Sequence, residues 1–525
     1  QLQKACPAAG TPSLRSCSFT WTNSHITAMV QFQLPAADWK DRQTQLYAAG
    51  AATAVLGGAL LAKRALRQRK PYNGSYTPET LPSGAYDVII VGAGPSGSVA
   101  GWYLAKGGAK VALLDKEHFP RDKICGDAVV TPALAILKEM GVFQELVDAD
   151  EIKLADNGGF VSPSGLAYIG NSQHKLGTAA AGAVKRIHLD DRIARAAARA
   201  GAELREGFEV GTDVTFDAEE GLWTVKSVEG KAVVGRVLVC ADGSTSRLAT
   251  QLGLCTAPPQ GVSSRAYIEG GTHNTDFDGV CFYPRWSLPG YAAIFKHAKD
   301  ELGFCYYLIP CGKNADKGQL GNVTADDLKR LHEDALKRDP FISRAVGPKA
   351  KIERMRAGSL RIGSQGVPAS YADHLLIIGD AAGHIDPLTG EGIHTAMMGG
   401  KVAAETLLEM RAAGDFSSRS TRLYQQRWMD LFGHDFKLSQ KGAELLWKYP
   451  IIMDACASEA QRQGDAMMSK WAEVMTNMRP KTYFLRPDVA FNMSRAIVRE
   501  LWNQKVLNRP SAYVLQEPAA NGKAH

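Results

Sequence analysis

The chain has 525 residues, 45% of them apolar: long enough for two or more domains, and too ordinary in composition for a polytopic membrane protein. Its net charge of +7 lies in the first 70 residues, which hold nine Lys/Arg and two Asp; the other 455 hold 52 of each sign, so charge gives no reason to expect nucleic-acid binding by the body. Nine cysteines show no C-x-x-C pair, zinc spacing or iron–sulfur grouping, so no metal is expected and a reducing compartment fits best.

Residues 1–42 form an N-terminal arm. Its first 37 residues carry Lys4 and Arg15 and no acid, among many Ser, Thr and Ala. That is the composition of an organelle transit peptide, and equally of an unstructured tail. Residues 43–62 are uncharged, and Leu46–Ala62 is their apolar part; Lys63, Arg64, Arg67, Arg69 and Lys70 follow at once. Seventeen helical residues reach about 25 Å, against a bilayer core of about 30 Å. The pattern predicts a single N-terminal membrane helix, with the basic side and the body in the stroma, matrix or cytosol. A soluble Ala-rich helix has the same signature. The expected location is an organelle membrane, chloroplast ahead of mitochondrion or endoplasmic reticulum. Residues 63–84 are a basic flank and a linker rich in Pro, Gly, Ser and Thr.

The body opens with YDVIIVGAGPSGSVAGWYLAKGGAKVALLDK, Tyr86 to Lys116. The run Val88–Val91 suits a strand buried on both faces. Gly92, Gly94 and Gly97 keep the G-x-G-x-x-G spacing, and a helix is expected from Pro95 and Ser96 to Lys106. A second apolar run, Val111–Leu114, ends at Asp115 and Lys116. Gly92 permits a tight turn, Gly94 lets a pyrophosphate approach the backbone, and Gly97 lets helix and strand pack closely. The helix N-terminus offers free N–H groups to phosphate, and Asp115 stands where a ribose hydroxyl would be met. Strand, turn, helix, strand and acid in this order predict a Rossmann-type dinucleotide site.

Next comes FPRDKICGDAV, which must stay near that site because it leaves the carboxyl end of the second strand. It contains Arg121, Cys125, Gly126 and Asp127. Residues 132–149 have helical periodicity, and a helix starting near Arg186 and Asp190 ends at Gly201. Phe208–Asp217 and Leu222–Val228 read as a hairpin. The strand Val237–Ala241 ends in Asp242 and Gly243, which could meet a ligand or form a plain turn. Residues 261–350 carry aromatic strands at Val280–Tyr283, Tyr291–Phe295 and Phe304–Ile309. A second glycine block, IIGDAAGHIDPLTGEGIHTAMMGGKVAAE, spans 377–405 and contains Gly379, Asp380, Pro387, Gly390, Gly392 and Ile393. From about 411 to 507 the chain reads as four helices, Tyr424–Leu431, Leu438–Trp447, Ile451–Met468 and Val489–Leu507. They are rich in Trp, Phe and Met, which suits a pocket for a long apolar ligand and equally an ordinary core.

The opening glycine motif, FPRDKICG at 119–126, Arg186-x-x-x-Asp190, ADGSTSR at 241–247 and the 377–405 block together resemble the geranylgeranyl reductase group of FAD-dependent oxidoreductases. The resemblance implies an α/β fold with an α+β substrate domain: an FAD-binding domain in two parts, 85–260 and 351–410, an antiparallel-sheet substrate insert at 261–350, a helical cap at 411–507 and a disordered tail at 508–525. It implies non-covalent FAD, with a ribityl hydroxyl on Asp380 and the flavin edge near Pro387–Ile393, where the helix dipole would stabilise reduced flavin. No second glycine fingerprint is present, so NAD(P)H would bind only transiently as donor. Cys125 and Tyr291 are the candidate catalytic residues: Cys125 by its place in the C-G motif, as proton donor or simply a small residue packed on the flavin, and Tyr291 by its place in the P-x-x-Y-x-W-x-F-P signature. Ala293 and Lys296 depart from that signature, and Asp127 stands where glycine is common. The implied reaction is hydride transfer from reduced flavin to a C=C bond of a prenyl or other apolar substrate. Three alternatives stay open at this level: a flavin monooxygenase, a quinone-linked electron-transfer flavoprotein and a flavin-bearing structural subunit of a membrane complex. The expected partners are an apolar small molecule or quinone and, through Leu46–Ala62, a membrane.

Overall fold

The computed structural model describes residues 81–171, 181–271, 277–284, 289–308 and 324–509, and the strand backbones of 16–23 and 26–33. Two units are distinct, Gln1–Pro71 and Tyr72–His525. In the first, Ser16–Asn23 and Ile26–Gln33 pair as an antiparallel hairpin within the arm. The Leu46–Ala62 segment lies outside the described residues, as does the tail beyond 509. Among the described residues no helix is long and apolar enough to cross a membrane.

In the second unit the apolar run Val88–Val91 becomes the buried strand Tyr86–Val91, at the middle of a parallel sheet. It pairs with Val111–Leu114 on one side and Ala232–Cys240 on the other. Glu203–Arg205 and Leu375–Ile377 extend the parallel part, so a segment some 290 residues downstream enters the sheet one strand away from the opening motif, across Ala232–Cys240. The first half of Ala232–Cys240 pairs instead with the predicted hairpin, Val210–Asp217 with Leu222–Ser227.

The glycines do what their spacing asks. Gly92 has φ of +104°, and a Cβ there would lie 2.3 Å from the Ala241 carbonyl oxygen. A Cβ on Gly97 would lie 1.9 Å from the Gly92 oxygen, so only glycine lets the helix Pro95–Lys106 start so close to its strand. That helix packs against the long helix Ile393–Ala413, whose Gly400 stands over the Ser96 backbone. The two glycine blocks thus meet through a helix crossing.

A second sheet of seven strands lies on the far side of the site. The predicted strands appear in it as Gly279–Phe282, Gly290–Lys296 and Leu302–Leu308. It also recruits Asn157–Val161 and Ala167–Asn171 from ahead of the 261–350 insert, and Lys351–Leu360 from behind it. The insert boundaries therefore cut through one sheet, because strand pairing there is non-local. Two predicted helices are each broken by a glycine with positive φ. Residues 132–149 divide at Gly141 into Thr131–Glu139 and Val142–Asp148, and 451–468 divides at Gly464 into Ile451–Gln463 and Asp465–Met475. The cap ends in Pro487–Lys505.

Candidate active site at the join of two cavities

Both motif helices present their first turns to one narrow cleft of about 90 Å³. Gly94, Pro95 and Ser96 line it from one helix, Gly392, Ile393 and Ala396 from the other. At Gly94 the nearest atom to an added Cβ is 3.9 Å away, on Arg121, so the cleft floor there is open backbone. Free N–H groups of two helix starts and the cations Lys123 and Arg186 give the cleft a positive lining. Lys123 Nζ stands 3.5 Å from Asp380, whose carboxylate also accepts from the Ser244 hydroxyl at 3.4 Å.

Behind the cleft lies a chain of buried charges. Asp115 accepts from the Ala93 N–H at 2.9 Å and from Arg121 at 3.2 Å. Arg121 also reaches Asp190 at 2.8 Å, and Arg186 grips the same carboxylate with two bonds of 2.7 Å. The two guanidinium groups hold the Asp190 carboxyl below its usual range, against the penalty of its burial. Arg186 also interacts with the Cys125 sulfur.

The second cavity is a chamber of about 450 Å³, within the common range of small-molecule sites, about 300–1,000 Å³. Its walls are mostly apolar. The second sheet contributes Cys281, Tyr283, Tyr291 and Tyr307; the cap contributes Trp447, Met468, Trp471 and Met493. Tyr291 packs between the rings of Tyr283 and Tyr307, each at a centroid distance of 5.5 Å, and Tyr283 lies 6.0 Å from Trp447. The Tyr291 hydroxyl donates to the Thr389 carbonyl, which ties the sheet to the second glycine block. Burial pushes its pKa far up, so it stays a phenol.

Cleft and chamber share six lining residues: Cys125, Gly126, Ser263, Gly390, Gly392 and Ile393. Cys125 stands at this join. Beside it Glu391 lines the chamber, with its Oε2 buried and free of any hydrogen bond. Its side chain is 27% exposed, but it lines the chamber, whose apolar walls desolvate it. Burial, with Asp386 nearby, raises its pKa to about 8, and Lys481 only partly opposes this. His394 lies 3.6 Å from Glu391 and bonds Asn477 at 3.0 Å; burial lowers its pKa to about 4, so it is neutral at pH 7.

Several residues singled out from the sequence stand elsewhere. The Asp242 carboxylate accepts from the Ser246 hydroxyl at 2.7 Å and the Leu248 N–H at 3.2 Å, so it holds a turn, and only Gly243 reaches the cleft. Lys116 is exposed beside Glu117. Pro387 and Gly379 are buried and line neither cavity. Asp127 also lines neither. It is fully buried at φ +63° and accepts from the Tyr267 hydroxyl at 3.0 Å, with Arg265 at 3.9 Å and His297 at 3.7 Å. Burial, opposed mainly by Arg265, lifts its pKa to about 7. Sequence reasoning passed over Lys123, although it sits in the same motif as Arg121, and the chamber tyrosines Tyr283 and Tyr307. Alternation along aromatic strands was the available signal for the tyrosines.

A family model described as "FAD binding domain" matches residues 85–415. The curated protein "Conditioned medium factor receptor 1" of Dictyostelium discoideum is 48% identical over 460 residues, covering 84% of this chain and 88% of that protein. "Menaquinone reductase" of Mycobacterium tuberculosis is 28% identical over 404 residues, covering 75% and 91%. Among solved structures, a geranylgeranyl bacteriochlorophyll reductase-like protein from Thermoplasma acidophilum superposes with a TM-score of 0.59 at 19% identity, covering 81% of this chain and 99% of that one.

Proposed function

The chain belongs to the FAD-binding domain family, as an FAD-dependent oxidoreductase of the geranylgeranyl reductase-like type, and from that premise we propose that it saturates a C=C bond of a prenyl-type chain held in the 450 Å³ chamber. The observation that carries the reading is the wall common to cleft and chamber, which would let a cofactor in one and an apolar ligand in the other meet edge to edge.

The residues present fit FAD. Gly94–Ser96, Lys123 and Arg186 would offer N–H groups and positive charge to a diphosphate, and Asp115, behind the cleft, is the carboxylate that would serve the adenosine ribose. Gly390 to Ile393, at the join, are the residues that would hold the flavin ring, with the Tyr307 ring packed against Gly390. When bound and reduced, the cofactor supplies a hydride to one carbon of the double bond. The other carbon needs a proton, and two groups of the chain stand near the join to give it. Glu391 is protonated at pH 7 and has a free oxygen; Cys125 is the second. Tyr291 is a positioning residue: its proton is committed to Thr389, so it steadies the loop that carries Glu391. The apolar walls keep water from competing for the proton.

The relative named menaquinone reductase supports a polyprenyl-bearing substrate. The test is anaerobic: the flavin of the full chain is photoreduced, then exposed to a menaquinone or a geranylgeranyl lipid. Reoxidation with gain of two hydrogens in the prenyl chain, read by mass spectrometry, is expected. Reoxidation with the tail unchanged and only the ring reduced would make it an electron-transfer protein. Oxygen uptake coupled to substrate on adding NAD(P)H would make it a monooxygenase. A flavoprotein that binds ligand without turnover, in line with the Dictyostelium relative's name, would show no reoxidation.

A further inference from the structure

A surface helix normally keeps its apolar side chains on one face. Pro487–Lys505 has them on two. Its inner face, Val489, Met493 and Ala496, includes two residues that line the chamber. Its outer face carries Phe491, Val498 and Trp502, which are 62%, 66% and 58% exposed. Steps of seven and four residues put these three in one row. Leu485, Val506 and Leu507 continue the exposed set beyond both ends. Of the 13 large exposed apolar side chains among the described residues, seven fall between 485 and 507. Such a concentration marks a contact surface.

Charge tells what it contacts. Residues 485–509 carry five Arg/Lys and two acids. One acid, Glu500, is buried, and the other, Asp488, is paired with Arg486 at 3.0 Å. Arg495 lies beside the row, 5.9 Å from the Phe491 ring, and Lys505 and Arg509 stand at its end. A two-fold contact of this row with a second copy would set like charges against each other. Exposed Phe, Trp and Leu flanked by Arg and Lys suit the boundary of an anionic bilayer. The chamber opens nearby: Leu445, itself exposed, and Phe484 both line it.

We propose that the outer face of Pro487–Lys505, with Leu485, docks on a bilayer surface carrying anionic lipid, so that an apolar chain enters the chamber from the acyl layer. Docking stands apart from the reductase reading; only the direction of substrate entry rests on it.

The test uses the full chain with vesicles of phosphatidylcholine, with and without phosphatidylserine. Backbone hydrogen exchange in 485–507 is expected to slow on adding the anionic vesicles, a readout that membrane binding by residues 43–62 would not produce. The double variant Phe491→Glu, Trp502→Glu is expected to lower vesicle affinity about tenfold or more while keeping the flavin spectrum. It should also lose turnover of bilayer-embedded substrate and keep turnover of detergent-dispersed substrate. Unchanged exchange, or unchanged affinity in the folded variant, overturns the proposal. So does protection of the same helix by protein concentration alone, which would assign the face to a second copy. If the wild type docks but turns over neither form of substrate, the docking stands and the reductase reading falls.

Discussion

A Cβ added to Gly400 would sit 2.3 Å from the carbonyl oxygen of Ser96, so the two motif helices touch backbone to backbone. Neither atom can give way without moving a helix that lines the cleft. Gly400→Ala is therefore expected to cost about 3 kcal/mol or more and to lower flavin content in the purified protein. Thermal unfolding and the ratio of flavin to protein absorbance check it. Gly442→Ala, in open space inside the cap helix His434–Lys448, should leave flavin content unchanged and raise stability by about 1 kcal/mol.

Glu391 as proton donor makes a signed prediction about pH. The carboxyl is active while protonated, so the rate of prenyl reduction should fall as pH rises through about 8. Glu391→Gln should cut the rate by about 10²-fold and remove that limb. A variant that loses rate but keeps the alkaline limb would move the role to another group, with Cys125→Ala the next to measure.

Chamber length should set chain length. Met493 lines the chamber from the cap and does not border the cleft. Met493→Trp is expected to raise KM for a long prenyl chain about tenfold, since lost or clashing methylenes act at about 1–3 kcal/mol each, and to spare a short one. Equal loss for both would mean that the far end is not the tail end.

Two buried histidines should make the fold acid-sensitive. His297 and His332 are almost wholly buried, and burial lowers each pKa to about 3. An unfolded histidine takes up its proton near pH 6.5. Between those values each unfolded histidine binds the extra proton, so the histidines' contribution to stability falls as pH drops from about 6.5 toward 3. Asp127 and Glu391, with raised pKa values, act in the opposite direction until the pH nears about 4, so the net loss comes below that. Each histidine contributes a slope of about 1.4 kcal/mol per pH unit. His332→Phe should flatten the acid limb of a denaturation series, although it leaves the Ser264 hydroxyl without its 2.9 Å partner.

Backbone demands were legible in the sequence, and side-chain directions were not. Gly92 and Gly97 announce a close strand–helix turn because nothing larger fits, and the structure has that turn. Asp242 is written in the same motif language, yet its carboxylate holds a turn, a choice that depends on Ser246 and Leu248 in space. Asp127 looked like a cleft carboxylate from its neighbour Cys125; its left-handed backbone turns it to Arg265 and Tyr267, on a strand 140 residues away. Gly141 and Gly464 broke helices that periodicity ran together, since a lone glycine inside a helical pattern costs only about 1 kcal/mol and does not announce a stop. The second sheet drew strands from beyond both predicted edges of the insert, a pairing that no local pattern encodes.

The wall shared by cleft and chamber carries a thermodynamic consequence. Cys125, Gly126, Ser263, Gly390, Gly392 and Ile393 border both spaces, so whatever fills one alters the surface offered to the other. Cofactor and substrate affinities are then linked, and the linkage is reciprocal: a substrate chain that binds the loaded protein more tightly must raise the cofactor's affinity by the same factor. Retention of the flavin becomes a reporter of occupancy across the wall.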